Sequence, residues 1–548
     1  MLEHKRLRGL GRGVDPSRMK ALIIDEGELS RSVLSNMLRN LGVPTVHWAR
    51  RPEAARSMIK HATSSSAAYD IIVTDFHFTP QSSHDLTGQD LLDELRQARG
   101  LPMQTAFIMV TDEARYQHVA DAVEGALDDY LLKPFNARQF DERLRVILER
   151  KHALREVFEA IDAGEFGQAA SLCEAMFAAS ATYRVYAARI GSELYLRLGQ
   201  IDAAKRMFEA LLVSKAVPWA RLGLAKIELA NADSATACRT LETLLADNPA
   251  YVDAYDVYGR ALLEEMKFEA AVEMLGKAVQ ITPGNVARLQ KLGSLQLFLG
   301  DSEAAAKNLG AALTIGLHSR ALDFQGVVAL GIACVDTADA AGCEQAQQCL
   351  QDAIARYPAY SFRLQMLSLA LDAAMALLTR RQEASLAALE QMAVQLDQPE
   401  FSFEMACNLL QLVARCARNQ RVPGAMRWAE LAAQRYAISK PRTRLLEMAA
   451  VQLPSLETAV RNAAAGVNEA ARAAMTQLVS KQHQRTLEAL LELAGRSLNT
   501  RIIKLALATL THHGRHLPPE VARRLGESLD ELHQRYADGA PRIVARRE

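Results

Sequence analysis

A chain of 548 residues that is 49% hydrophobic exceeds what one core accommodates, so two or more domains are expected. Lysine plus arginine equals aspartate plus glutamate at 64 each, which removes bulk basicity as an argument for nucleic acid or an anionic membrane surface. Seven cysteines without a Cys-x-x-Cys pair, no signal peptide and no apolar run long enough to span a bilayer together predict a cytoplasmic chain with reduced thiols and no membrane insertion.

Residues 1–18 are basic and glycine-rich, with Lys5, Arg6, Arg8, Arg12 and Arg18, and are expected to be a disordered leader or to precede a natural start at Met19. Beyond them lie four apolar runs, each ending in a chemically capable residue. Ala21-Leu22-Ile23-Ile24 precedes Asp25-Glu26, and Ile71-Ile72-Val73-Thr74 precedes Asp75. Phe107-Ile108-Met109-Val110 precedes Thr111, and Tyr130-Leu131-Leu132 precedes Lys133. Such runs, separated by amphipathic helical stretches, predict a parallel sheet covered on both faces. Residues just past the carboxyl ends of its strands meet in one crevice.

Clustered there, Asp25, Glu26 and Asp75 repel one another and call for a hard divalent cation such as Mg²⁺, which takes oxygen ligands. The cation would screen an incoming phosphoryl group and leave Asp75 as a carboxylate nucleophile. Lys133 supplies a positive charge and Thr111 a hydroxyl for the phosphoryl oxygens. A doubly charged group would pull both inward, making the site a switch as well as an acceptor.

With Ile24-Asp25-Glu26, Asp75, Val110-Thr111-Asp112-Glu113-Ala114 and Asp129-Tyr130-Leu131-Leu132-Lys133-Pro134-Phe135 in this order, residues 19–150 resemble the receiver domain of two-component response regulators of the CheY type. The resemblance implies an α/β doubly wound fold, Asp75 as phosphoacceptor, and a histidine kinase or phosphotransfer protein as donor. It implies Asp25, Glu26, Asp75 and the backbone carbonyl of His77 as Mg²⁺ ligands, Thr111 and Lys133 as switch residues, and Tyr130 as an aromatic that reorients. The family's Pro four residues after the acceptor and Gly four further on are displaced here, to Pro80 and Gly88. Gln81 to Thr87 therefore reads as a polar insertion beside the acceptor, either a tolerated surface loop or a device tuning phosphoryl lifetime or kinase choice.

Phe140, Leu144, Ile147, Leu154, Phe158 and Ile161 share one helical stripe, with no Pro or Gly between Ala137 and Ala163. One continuous rod is expected to join the receiver to the next domain. From about residue 155 the pattern is helical with a period of 34: Ala169, Ala203, Ala237, Ala271 and Ala305 form one series, and Gly191, Ala225, Gly259 and Gly293 another. Cys173, Met207, Leu241, Leu275 and Leu309 form a third. Small residues in phase let paired helices approach and large ones fill the adjoining space, which is the tetratricopeptide repeat signature. Repeats are expected over 151–358 and divergent helical repeats with a cap over 359–548, the whole an all-α solenoid. Beyond residue 440, helices are expected at Arg442 to Val451, Leu456 to Ala465, Ala470 to Ala494 and Arg501 to Leu510.

Resemblance to the tetratricopeptide family implies a concave groove lined by the first helix of each repeat. Its positions fall on Tyr195, Trp219, Leu222, Lys226, Asp253, Asp256, Arg260, Gln290, Ser294 and Phe298, with Tyr195, Trp219, Lys226, Arg260 and Phe298 as candidate partner contacts. His512, His513 and His516 read as a polar loop before Pro518-Pro519 rather than a metal cluster. The expected whole is a non-enzymatic response regulator whose repeats bind an unidentified protein partner. Inhibition of kinase-to-regulator phosphotransfer, a phosphate sink, or a catalytic helical domain acting on a phosphorylated partner are the alternatives.

Overall fold

The computed structural model describes residues 15–65, 67–76, 78, 88–97, 100–111, 129–179, 181–214, 217–317, 321–356 and 361–536. The chain divides into two compact units, Met1–Val257 and Tyr258–Glu548.

In the first unit, β1 (Lys20–Ile24), β2 (Thr45–Ala49), β3 (Ile71–Asp75), β4 (Ala106–Thr111) and β5 (Asp129–Leu132) form a parallel sheet in the order β2-β1-β3-β4-β5. Side chains alternate across it, as the pleat requires. Ala21, Ile23, Ile71, Val73, Ile108 and Val110 pack on one face with Leu34 and Leu38 of the helix Glu28–Asn40 and Phe140, Leu144 and Ile147 of the helix Ala137–Ala153. Leu22, Ile24, Ile72, Phe107 and Met109 pack on the other with Ile59 of Pro52–Ser64 and Leu91, Leu92 and Leu95 of Gly88–Gln97. Each such fully buried Leu, Ile or Phe contributes about 1.5–3 kcal/mol. This is the expected doubly wound fold, and strand order reverses between β1 and β3, where a site should lie. Of the residues expected to be a disordered leader, Asp15 to Arg18 are structured, Asp15 capping a 3₁₀ turn at Pro16–Arg18 with its carboxylate; residues 1–14 lie outside the described residues.

The expected rod is broken at Leu154, between Ala137–Ala153 and Arg155–Asp162, where ψ is 14° rather than helical. The reason is that one apolar stripe serves two cores. Phe140, Leu144 and Ile147 fill the receiver, whereas Leu154, Val157 and Phe158 belong to the core of the adjoining hairpins. The joint is fastened from the β4 side: Lys151 Nζ donates to the Met103 carbonyl at 2.6 Å, Met103 N–H donates to the Asp162 carboxylate at 3.0 Å, and Gln104 Nε2 donates to Arg155 O at 3.0 Å.

Antiparallel helix pairs come next: Arg155–Asp162 with Phe166–Ala178, Arg184–Arg197 with Ile201–Ser214, and Pro218–Ala230 with Ser234–Asp247. In the second unit the pattern continues through Phe268–Ile281, Val286–Phe298, Ser302–Gly316 and Phe324–Thr337 to Pro519–Tyr536. The phased residues meet as their chemistry demands. A Cβ added to Gly293 would come within 2.6 Å of Leu309 Cγ, and one at Gly191 within 3.2 Å of Met207, the same sixteen-residue relation in both units.

Between paired helices the chain turns on left-handed residues, Gly164, Gly199 and Ala232 in the first unit, Met266, Gly300 and Ala338 in the second. Met266 N–H donates to Leu263 O and Lys267 N–H to Leu262 O, the two bonds of a Schellman motif. Ala232 with Asp233, and Gly300 with Asp301, repeat it.

Of the late helices expected from sequence, two are redrawn. Pro454–Val479 is one helix of 26 residues running through Gly466, and the expected Ala470 to Ala494 segment is cut at Lys481, whose φ is 59°. His483–Ser497 and Thr500–His513 come after it. Pro519–Tyr536, begun by a proline in its first turn, is a further helix that apolar spacing did not single out. Ala346, Leu350 and Ala353 of Ala340–Arg356 are buried, as are Ala425, Ala429 and Ala432 of Ala425–Tyr436, each set at the spacings of four and three that share one helix face.

Candidate functional site

The carboxyl ends of β1, β3, β4 and β5 bring Asp25, Asp75, Thr111 and Lys133 to one end of the sheet. Asp75 closes β3. Its Oδ2 accepts from Lys133 Nζ at 2.8 Å and its Oδ1 from the Phe76 N–H at 2.8 Å. Burial raises its pKa, opposed by the hydrogen bond and charge of Lys133, with Asp25 adding to the rise. The two carboxylates are thus close enough to repel, the condition a bound cation relieves.

Asp25 is almost wholly buried, with Oδ1 accepting from Gly27 N–H at 2.7 Å and Oδ2 from Ser30 Oγ at 2.6 Å. Glu26 pairs with Arg51 at 3.0 Å. Arg31, stacked 4.8 Å over Trp48, donates to the carbonyls of Asp25 and Glu26 at 2.7 and 2.8 Å and so pins the β1 loop. Sequence spacing had not singled out Ser30, Arg31 or Arg51, because each acts through the loop fold rather than through a strand end. Thr111 is buried at the end of β4, and its carbonyl accepts from Lys133 N–H at 2.7 Å, which fixes the start of the β5 loop. The Lys133–Pro134 peptide is cis.

Gly88 N–H donates to Phe76 O at 3.0 Å, and a Cβ on Gly88 would collide with the carbonyl oxygen of Asp75. The displaced glycine therefore still serves the acceptor loop at its new distance. His77, the side chain of Tyr130, Pro80 and residues 81–87 and 112–128 lie outside the described residues.

An oxygen-only donor set with mutually repelling carboxylates fits Mg²⁺ chemistry better than that of a thiolate- or imidazole-seeking ion. Asp25, Glu26 and Asp75 would hold it, with Glu26 first leaving Arg51.

The groove residues fare differently. In the first unit Tyr195 is buried and its hydroxyl donates to Glu174 Oε2 at 2.6 Å. Burial, then that hydrogen bond and charge, push its pKa to about 12. Trp219 is half-buried edge-on to Phe208, with the Arg189 guanidinium 5.6 Å away, and Leu222 is buried; Lys226 is exposed and Asp253 and Asp256 are half-buried. In the second unit Arg260 is exposed, Gln290 is buried with its amide bonded to both backbone groups of Asp323, Ser294 is half-buried, and Phe298 packs against the core. The three aromatic anchors are thus packing residues, because a helix stripe of large rings finds its neighbouring helix before a ligand; Lys226 and Arg260 keep the surface exposure that a contact needs.

The seven cysteines are buried and none of them forms a disulfide, and among the described residues no helix is long and apolar enough to cross a membrane.

The response regulator receiver domain family matches residues 21–145. The chemotaxis protein CheY-3 of Vibrio cholerae is 30% identical over 132 residues, 24% of this chain and 93% of that protein. CheY of Pseudomonas aeruginosa is 31% identical over 135 residues, 24% of this chain and 98% of its own. The C-terminal part of a TPR repeat-containing protein from Cytophaga hutchinsonii aligns with 43% of this chain and 93% of itself, at TM-score 0.34 and 14% identity. By its receiver fold and its likeness to the CheY proteins, the chain belongs to the response regulators of two-component signalling, with helical hairpins C-terminal to the receiver.

Proposed function

We propose that Asp75 accepts a phosphoryl group from a histidine kinase or phosphotransfer protein, with Mg²⁺ held by Asp25, Glu26, Asp75 and the carbonyl of His77, and that the repeats bind a protein partner according to phosphorylation state. The observation that carries the reading is the 2.8 Å contact between Lys133 and a strand-end aspartate whose other neighbour is a second carboxylate. An Asp75 oxygen attacks phosphorus, the donor's P–N bond breaks, and the imidazole keeps that electron pair. Mg²⁺ would neutralise charge on the phosphoryl oxygens. Lys133 then exchanges the carboxylate for a phosphoryl oxygen, Thr111 turns its hydroxyl toward another, and Tyr130 reorients with them. The output is binding rather than catalysis, exercised in the cytoplasm, and the exposed Lys226 and Arg260 on first helices of their hairpins support it.

The test is affinity capture by the full chain with and without a small phosphodonor, beside Arg260→Glu. Capture of a partner that changes with phosphorylation and weakens in a normally melting Arg260→Glu protein supports the reading; capture indifferent to both contradicts it.

A further inference from the structure

Near the C-terminal end of the second unit, the imidazole of His483 meets those of His513 and His516, some thirty residues further along the chain. Thr500–His513 ends on His513, and the 3₁₀ turn Gly514–His516 carries His516 round beneath it. Positions three apart eclipse in such a turn, so the two rings fall on one side, 6.3 Å between centroids. His483, at the start of His483–Ser497, adds the third ring, 5.2 Å from His513 and 4.7 Å from His516. One nitrogen from each lies within 4.8 Å of the other two. His512, next in sequence to His513, is exposed and outside the cluster.

We propose that His483, His513 and His516 bind a borderline divalent transition-metal ion, Zn²⁺ being the ion of choice. Three neutral imidazoles suit Zn²⁺, Ni²⁺ or Cu²⁺ and not Mg²⁺, so this site and the receiver's carboxylates select different ions. Nδ1 of His483 is buried and makes no hydrogen bond among the described residues, which leaves that ring a nitrogen seeking a partner. The competing bond is weak: Arg515 Nε reaches His516 Nε2 at 3.3 Å on an exposed surface, and the arginine can turn to water. Zn–N bonds of about 2.0–2.1 Å place tetrahedral nitrogens about 3.4 Å apart, so the rings need close by roughly 1.4 Å, within reach of side-chain rotation. The fourth position is left for water or a carboxylate from a partner. Bound metal would staple two helices and the turn that follows the second of them, adding its binding free energy to the folded state.

The test is calorimetric titration of the full chain with Zn²⁺ in excess Mg²⁺, which occupies the receiver carboxylates. The expected result is one Zn²⁺ bound per chain, roughly tenfold or more weaker in His516→Ala and in His483→Gln, and unchanged in His512→Ala. Zn²⁺ should also raise the melting temperature of the wild type but not of His516→Ala, an exposed position whose metal-free melt should match the wild type. No Zn²⁺ binding under excess Mg²⁺, equal affinity in His516→Ala, or equal loss in His512→Ala would overturn the site.

Discussion

The ammonium of Lys133 stands 2.8 Å from Oδ2 of Asp75 across 58 residues of sequence, joining the ends of β3 and β5. Burial drives the Asp75 carboxyl toward its neutral form and Lys133 is the largest counterweight. Only the ionised form is a nucleophile, so removing the counterweight should raise the pH at which nucleophilicity is lost. Lys133→Met should therefore show its acid-side fall in labelling by a small phosphodonor at higher pH than the wild type. Coincident acid limbs in the two profiles would argue against this role for Lys133.

Gly88→Ala should damage the acceptor loop without touching a reacting atom, because its Cβ collides with the Asp75 carbonyl and nothing there is a flexible side-chain end. Labelling should fall and the receiver should lose about 1–3 kcal/mol of stability by chemical denaturation.

The acceptor pocket was legible in sequence because each of its residues ends an apolar strand, and parallel strands deliver their ends to one place. The 34-residue phase was legible because close helix packing needs small residues such as Gly191 and Gly293 opposite large ones. What stayed hidden involved competition between distant parts of the chain. The helix breaks at Leu154 because its stripe is shared by two cores, a fact absent from any local window. Trp219 and Tyr195 keep the groove register, yet their rings pack on Phe208 and bond Glu174 respectively. His483 joins His513 and His516 only through a helix hairpin, so no local spacing announces it.

The hairpin turns were hidden for another reason: Ala232 and Met266 hold left-handed backbone that glycine normally signals. Met266 has φ of 60° and a side chain that is 40% exposed, so Met266→Gly relieves strain at little packing cost. It should stabilise the repeats by roughly 1 kcal/mol in a denaturant titration, whereas Met266→Val should destabilise them.

Asp336 lies under Arg415 and Arg418 in the second unit, with Ser302 also donating to it. Burial would raise its pKa, but the charge and hydrogen bond of Arg415, with Ser302 and Arg418, outweigh burial and hold it below the usual 3.8. A depressed carboxyl contributes stability that is present above its unfolded pKa and lost as pH falls through the folded one. Melting of the repeats should therefore weaken on acidification below about pH 4, and Asp336→Asn should flatten that dependence. Arg415→Ala should cost about 1–3 kcal/mol by removing the most buried partner of the carboxylate while Arg418 and Ser302 remain on it.

Phosphotransfer to this chain rests on Asp75 as the acceptor. Intact-mass measurement of the full chain after incubation with a small phosphodonor and Mg²⁺ should show one added phosphoryl group, lost when the cation is chelated and absent in Asp75→Asn. Undiminished phosphorylation of Asp75→Asn, or a wild-type protein that gains no phosphoryl group from the donor or from any histidine kinase, would contradict it.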